Sequence, residues 1–232
     1  MQAGNVHYRK ASDLPEVIPV FPLVAGLLLP RGQMPLNIFE PRYLVMVDEA
    51  LAGDRVIGII QPQIINGVAV QDKEGAAKGT DRPELSAVGC LGRITSYTET
   101  GDGRVLITLQ GICRFRLAEE LPVPHPFRMA RITPYLQDLE EEQGEKEVDR
   151  EALLQAFRDY LEANGLEADW ESIAKAGNET LVNALSMMSP FGEAEKQALL
   201  EAPDLKTRAE TLVAITEIAL VRNGDDYGSG LQ

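Results

Sequence analysis

The amino-acid sequence predicts an α+β fold: an N-terminal β-rich pseudo-barrel with one helix, followed by a C-terminal all-α helical bundle. Three observations carry this expectation. Residues 18–44 place five prolines in 27 residues of dense apolar content, which no continuous helix tolerates. Residues 54–135 then consist of β-branched and aliphatic runs punctuated by Gly and Pro turns. After the charged stretch Asp138–Glu147 the apolar residues switch to a helical period.

Taken in order, residues 1–15 are polar and are expected to be a flexible N-terminus. Ile18–Leu23, Leu27–Pro30 and Pro35–Phe39 read as short extended pieces broken at Ala25-Gly26 and Arg31-Gly32. The first helix opens at Glu40-Pro41, since a proline in the first helical turn gives up an N–H that would be unpaired anyway. Tyr43, Met46, Val47, Ala50 and Leu51 then share one face. Asp54–Gln61 is a buried strand. Asn66-Gly67 between Ile64-Ile65 and Val68-Ala69-Val70 is a hairpin signal, because both turn positions favour positive φ. Asp72–Glu84 is a polar loop. Leu85–Tyr97 and Arg104–Leu117 form a long hairpin about Gly101-Asp102-Gly103, with Val105, Ile107 and Leu109 on its better-buried face. Phe127–Tyr135 supplies the last strand.

The expected domain therefore spans 16–137, with a charged linker at 138–147. A bundle at 148–223 follows, built on Leu153, Leu154, Phe157, Tyr160 and Leu161 in its first helix. Further helices run around Trp170–Ala176, from Asn178 to Ser189-Pro190, over Glu193–Glu201 and over Leu205–Arg222. Asn223-Gly224 is the expected stop, and 224–232 a disordered tail.

Charge is divided sharply between the two parts. Residues 1–135 hold 14 Lys and Arg against 14 Asp and Glu, while 136–232 hold 8 against 22, which accounts for the whole net charge of −14. Neither part offers a basic surplus to a phosphate backbone, so nucleic acid is not an expected partner. The start, MQAGNVHYRK, lacks the apolar core of a signal peptide, and no run approaches the roughly 18–20 apolar residues of a membrane span. No membrane association is expected, and the cytoplasm is the expected location. Two cysteines, Cys90 and Cys113, sit within strand-like runs and read as buried thiols in a reducing compartment.

Several strings resemble the amino-terminal substrate-recognition domain of the Lon protease family. These are Phe21-Pro22-Leu23, the Leu29-Pro30-x-Gly32 turn and the run Pro35-Leu36-x-Ile38-Phe39-Glu40-Pro41-Arg42-Tyr43. Others follow in the hairpin: Val88-Gly89-x-Leu91-Gly92-x-Ile94 and Asp102-Gly103-Arg104-x-Leu106-Ile107-x-Leu109-x-Gly111-x-x-Arg114-Phe115. Pro190 with Glu195-Lys196-Gln197-x-Leu199-Leu200-Glu201-x-x-Asp204-x-x-x-Arg208-x-x-x-Leu212 extends the resemblance, which covers residues 16–222. It implies a PUA-like pseudo-barrel backed by a helical bundle, and a role in recognising unfolded or hydrophobic polypeptide segments or a protein partner. It also implies that the chain is a standalone domain without the ATPase and peptidase modules of that family.

Catalytic motifs are not legible. Gly75-x-x-Lys78-Gly79-Thr80 has the wrong order for a phosphate loop, and Pro83 follows where a helix should open. His7 and His125 stand alone, without zinc-ligand or triad spacing. Neighbouring acids such as Asp48-Glu49 and Glu119-Glu120 point in different directions and form no dyad. No enzyme, cofactor or metal is expected. A small hydrolase with a cryptic site and an RNA-binding PUA-like module are the alternatives.

The candidate peptide-binding residues are Leu27, Leu28 and Met34. In an extended chain Leu27 and Leu29 point one way and Leu28 the other, so the two sets cannot share one core. With one face covered, Leu28 or its flanking pair is expected near the surface together with Met34.

Overall fold

The computed structural model describes residues 1–65, 68–69, 83–140, 144–165 and 167–229. It is α+β, and falls into two compact units: residues 1–141 with 191–200, and residues 142–190 with 201–232.

The first unit contains β1 (Gln2–Ala3), β2 (Val6–His7), β3 (Val17–Pro22), β4 (Gln33–Ile38), α1 (Pro41–Ala52), β5 (Val56–Pro62), β6 (Ile64–Ile65), β7 (Val68–Ala69), β8 (Leu85–Glu99), β9 (Val105–Leu121) and β10 (Arg128–Pro134). Five strands close a barrel in the order β10-β3-β5-β8-β9, with β9 returning to β10. All pairs are antiparallel except β3 with β5, where Val20 faces Gly58. Closure removes the open edges that a flat sheet would leave.

β8 and β9 outrun the barrel. Their far halves form a three-stranded flap with β4, in which Met34 faces Leu109, Leu36 faces Ile107 and Ile38 faces Val105. The expected alternation holds there: Val105, Ile107 and Leu109 are buried while Leu106 is exposed. The strands are longer than their apolar runs because β9, past Leu117, still pairs through Glu119–Leu121 with β10.

Phe115 fills the barrel and is fully buried against the cluster of Ile18, Val20, Ile60, Leu91 and Ile132. Glycine makes room for it. A Cβ at Gly89 would lie 2.5 Å from the Phe115 ring and 2.6 Å from the Ile59 carbonyl oxygen, too close for any side chain.

α1 begins as expected, with Glu40 as N-cap and Pro41 as first helical residue. Residues 1–15, expected to be loose, are tied down instead. Ala3, Tyr8 and Leu14 are buried. The Gly4 N–H donates to Gln110 Oε1 at 3.0 Å, and Arg93 donates to the Tyr8 hydroxyl at 3.2 Å. Leu27–Pro30, expected as a strand, is irregular. Ala25 and Arg31 at its ends both adopt positive φ, which turns the chain out of the sheet. The turn at Asn66-Gly67 and the loop from Asp72 to Arg82 lie outside the described residues.

The stretch expected to open the linker is part of this unit. Asp138 and Leu139 are buried in a 3₁₀ turn, Leu136–Leu139. Asp138 takes a bidentate bond from Arg114, Nε to Oδ2 at 2.8 Å and Nη2 to Oδ1 at 2.7 Å, and also accepts the Arg114 N–H at 2.8 Å. Both side chains are about 4% exposed, so neither charge is left to water. Arg114 further donates to the Leu200 carbonyl at 3.3 Å. Gln61 donates to the Glu193 carbonyl and to Gln197, and Gln197 donates to the Val88 carbonyl. These bonds place residues 191–200 with the barrel, although their helical period suggests bundle.

The second unit is helical: α2 (Arg150–Ala163), α3 (Trp170–Lys175), α4 (Asn178–Met188) and α6 (Leu205–Ser229), α5 being the segment Glu193–Glu201. Three of these four helices start on aspartates, while α4 follows Gly177 without a side-chain cap. Asp149 Oδ1 accepts from the Ala152 N–H, Asp169 from the Glu171 and Ser172 N–H groups, and Asp204 from the Thr207 N–H. Arg150 binds Asn178 and the Ile173 carbonyl, joining α2 to α3 and α4. α6 buries Leu205, Arg208, Ala209, Leu212 and Thr216, and leaves Ile218 and Val221 exposed. It continues past the stop expected at Asn223-Gly224. One glycine in a helix interior costs only about 1 kcal/mol against alanine, which propagation on either side offsets. Among the described residues no helix is long and apolar enough to cross a membrane.

Candidate functional site

The three residues expected to meet peptide do not form one surface. Leu27 and Leu28 are 2% and 1% exposed, and Leu29 is fully buried. The expectation assumed an extended chain, in which consecutive side chains alternate. In the irregular stretch observed, each leucine turns into the core separately; Leu28, for instance, packs over Gly92. Met34 alone reaches solvent, half-buried on β4.

A different concavity of the first unit has the shape of a binding site. It is a groove of about 390 Å³ lined by Pro22, Val24, Arg42, Tyr43, Pro62, Pro83, Leu121, Val123, His125, Pro126, Phe127 and Arg128. The ends of β3, β5 and β9, the first turn of α1 and the connection into β10 converge there. Its floor is Tyr43, buried and set against Phe21 with ring centroids 4.2 Å apart. Burial pushes the Tyr43 hydroxyl up from the usual phenol range, so it stays a neutral donor. Phe127 is buried and stacked on His125 at 5.0 Å, and Val24 stands 56% exposed at the rim.

Four of the lining residues are prolines, which removes backbone donors from the walls and leaves carbonyl acceptors. The two arginines are engaged. Arg42 lies over Tyr43 at 4.6 Å and binds Glu40 at 2.8 Å. Arg128 is held by Glu120 through both carboxylate oxygens and donates to the Pro83 carbonyl. His125 Nδ1 sits 3.2 Å from Glu49 Oε1. The lining therefore mixes prolines, aliphatic side chains and rings with side-chain donors on Arg42, Tyr43, His125 and Arg128, and both arginines already face carboxylates.

Cys90 and Cys113 are buried and not joined in a disulfide, and burial pushes the Cys113 thiol far above its usual range, which holds it protonated and inert. Among the described residues no three His, Cys, Asp or Glu side chains come together to hold a metal ion.

The groove draws on five separate stretches of chain, so no spacing in the sequence announces it. The available signal was proline at the ends of strands, at Pro22, Pro62, Pro83 and Pro126, where an edge or a binding rim tolerates a missing N–H.

The first unit is thus a strand-closed barrel bearing a groove lined by prolines, aromatic rings and paired arginines. Solved structures share the fold. A Lon N-terminal domain protein from Xanthomonas campestris aligns with a TM-score of 0.58 at 23% identity, covering 85% of this chain and 97% of that one. The N-terminal domain of the Mycobacterium avium complex Lon protease aligns with a TM-score of 0.57 at 15% identity, covering 87% and 98%. The chain belongs to the family of the ATP-dependent protease La (LON) substrate-binding domain, whose family model matches residues 17–217. Among curated relatives, Lon protease 2 of Myxococcus xanthus is 28% identical over 209 residues, covering 88% of this chain and 24% of that protein. Lon protease of Parabacteroides distasonis is 30% identical over 207 residues, covering 86% and 24%. The chain thus spans about a quarter of the length of these relatives.

Proposed function

We propose that this chain is a non-catalytic recognition module for polypeptide, and that it takes unfolded, apolar segments in the groove between the start of α1 and the β9–β10 connection. The observation that carries the reading is the groove's chemistry: prolines and aromatics line it, and both of its arginines are already paired with carboxylates. Such a wall rewards burial of aliphatic and aromatic side chains at about 25 cal/mol per Å² and offers little to a free charge. Membership in a family described as a substrate-binding domain supports the same reading. Two buried thiols not joined in a disulfide suit a reducing compartment, which supports a cytoplasmic location. Paired cations and the even charge of residues 1–135 favour polypeptide over RNA.

The test is a titration of a hydrophobic, unstructured peptide against wild type and Val24→Asp. Val24 is exposed, so the variant should melt with wild type while binding about tenfold more weakly. Equal affinity in the variant would place the peptide elsewhere.

A further inference from the structure

We infer that the free edge of β8 at Tyr97–Glu99 is a second recognition surface, built to accept an extended, lysine-bearing polypeptide as an added strand. The flap has two outer edges, and they are not alike.

Hydrogen-bond phase decides which backbone groups each edge presents. The Thr100 N–H donates to the Arg104 carbonyl at 3.1 Å, across the turn that joins β8 to β9. In an antiparallel pair bonded and non-bonded residues alternate. Counting back through the register, Thr98 opposite Leu106 and Ser96 opposite Thr108 bond to β9. Tyr97 and Glu99 therefore turn both N–H and C=O away from the sheet. On the other side β5 runs out at Arg55, whose carbonyl takes the Ile94 N–H, and among the described residues nothing pairs with β8 beyond that point. Every residue from Thr95 to Glu99 is exposed.

The same phase applied to β4 turns Gln33, Pro35 and Asn37 outward. Pro35 has no N–H to give, which blunts that edge at its centre. β8 carries no such block.

Charge selects the occupant. The Tyr97 hydroxyl lies 3.2 Å from Glu99 Oε1, and Asp48 on α1 is close enough to act on the same ring. In an added strand, the residues opposite Tyr97 and Glu99 project to that same face, beside two carboxylates. Lysine or arginine at alternate positions meets them, and its apolar stem covers the Tyr97 ring. This surface is separate from the groove and does not depend on it.

The experiment is fluorescence anisotropy with a dye-labelled hexapeptide of alternating lysine and valine, together with two isomers N-methylated on alternate amides in opposite phases. An added strand uses one set of amides only. One isomer should bind as the parent does, and the other about tenfold more weakly. Tyr97→Pro removes the outward N–H and Asp48→Lys reverses the charge; each should weaken the parent peptide by about tenfold at unchanged melting temperature. Val24→Asp should leave this binding as it is, which separates it from the groove. The inference is overturned by equal binding of both isomers, by no binding of the parent, by loss in Val24→Asp, or by self-association that Tyr97→Pro abolishes, which would give the edge to a second copy of the chain.

Discussion

The two units differ in the balance of near and distant contacts that stabilise them. The barrel unit relies on a few contacts between residues far apart in sequence. Arg114 meets Asp138, Phe115 fits against Gly89, and Gln61 reaches Glu193 and Gln197. The helical unit adds to the longer-range bonds of Arg150 with Asn178 and Ile173 many contacts a few residues apart, such as the aspartate caps and the Lys175–Glu171 pair. Their charges differ in step. The barrel unit holds 15 Lys and Arg against 19 Asp and Glu, whereas the helical unit holds 7 against 17 and so bears most of the acidic excess. One substitution should therefore be able to undo the barrel, while damage to the helices should accumulate in small steps.

The sharpest way to break that contrast is Asp138→Ala. It leaves the Arg114 guanidinium buried without its carboxylate, and should cost about 3–5 kcal/mol, read by denaturant unfolding. Replacing both partners, Arg114→Met with Asp138→Leu, should recover much of the loss; no recovery would mean that the Arg114–Leu200 bond matters more than the ion pair.

Next is Gly89→Ala. Its Cβ has nowhere to go between the Phe115 ring and the Ile59 carbonyl, so a loss of about 1–3 kcal/mol is expected. A melting temperature equal to wild type would show the barrel to be looser than drawn.

In the helical unit Asp149→Ala should cost about 1 kcal/mol, the usual value of an N-cap. Acid should act in the same place. The Ser172 hydroxyl and N–H hold the Asp169 carboxyl below the usual range, and the Thr207 N–H does so for Asp204. A lowered folded pKa stabilises above the unfolded value and is lost as pH falls through the folded one. Helical circular dichroism should therefore weaken below the ordinary carboxylate range, and Asp204→Asn should flatten that response. The smallest effect is expected for Lys175→Ala, at about 0.5 kcal/mol or less, because its pair with Glu171 is exposed.

What the sequence disclosed follows the same division. Local periods were readable: the buried face of α1, the alternation of Val105, Ile107 and Leu109, and the helical face of Leu153, Tyr160 and Leu161 appear where the spacing puts them. The failures are non-local. Asp138 reads as linker because its partner is 24 residues away. Leu27 and Leu28 were assigned to a strand, and two positive-φ turns cancel the alternation on which that assignment rested. The groove was missed because five stretches build it and none is distinctive alone.

The barrel unit is also discontinuous. Residues 191–200 return to it after the chain has built three helices of the other unit. A gene fragment encoding residues 1–141 would thus carry all ten of the described strands and still leave Gln61, Arg114 and the Val88 carbonyl without the groups they bind in α5. Recombination that shuffles the barrel as a cassette would move an unfinished fold. Inheritance of this architecture is tied to the whole span from the first strand to the end of α5, with the intervening helices carried along as cargo.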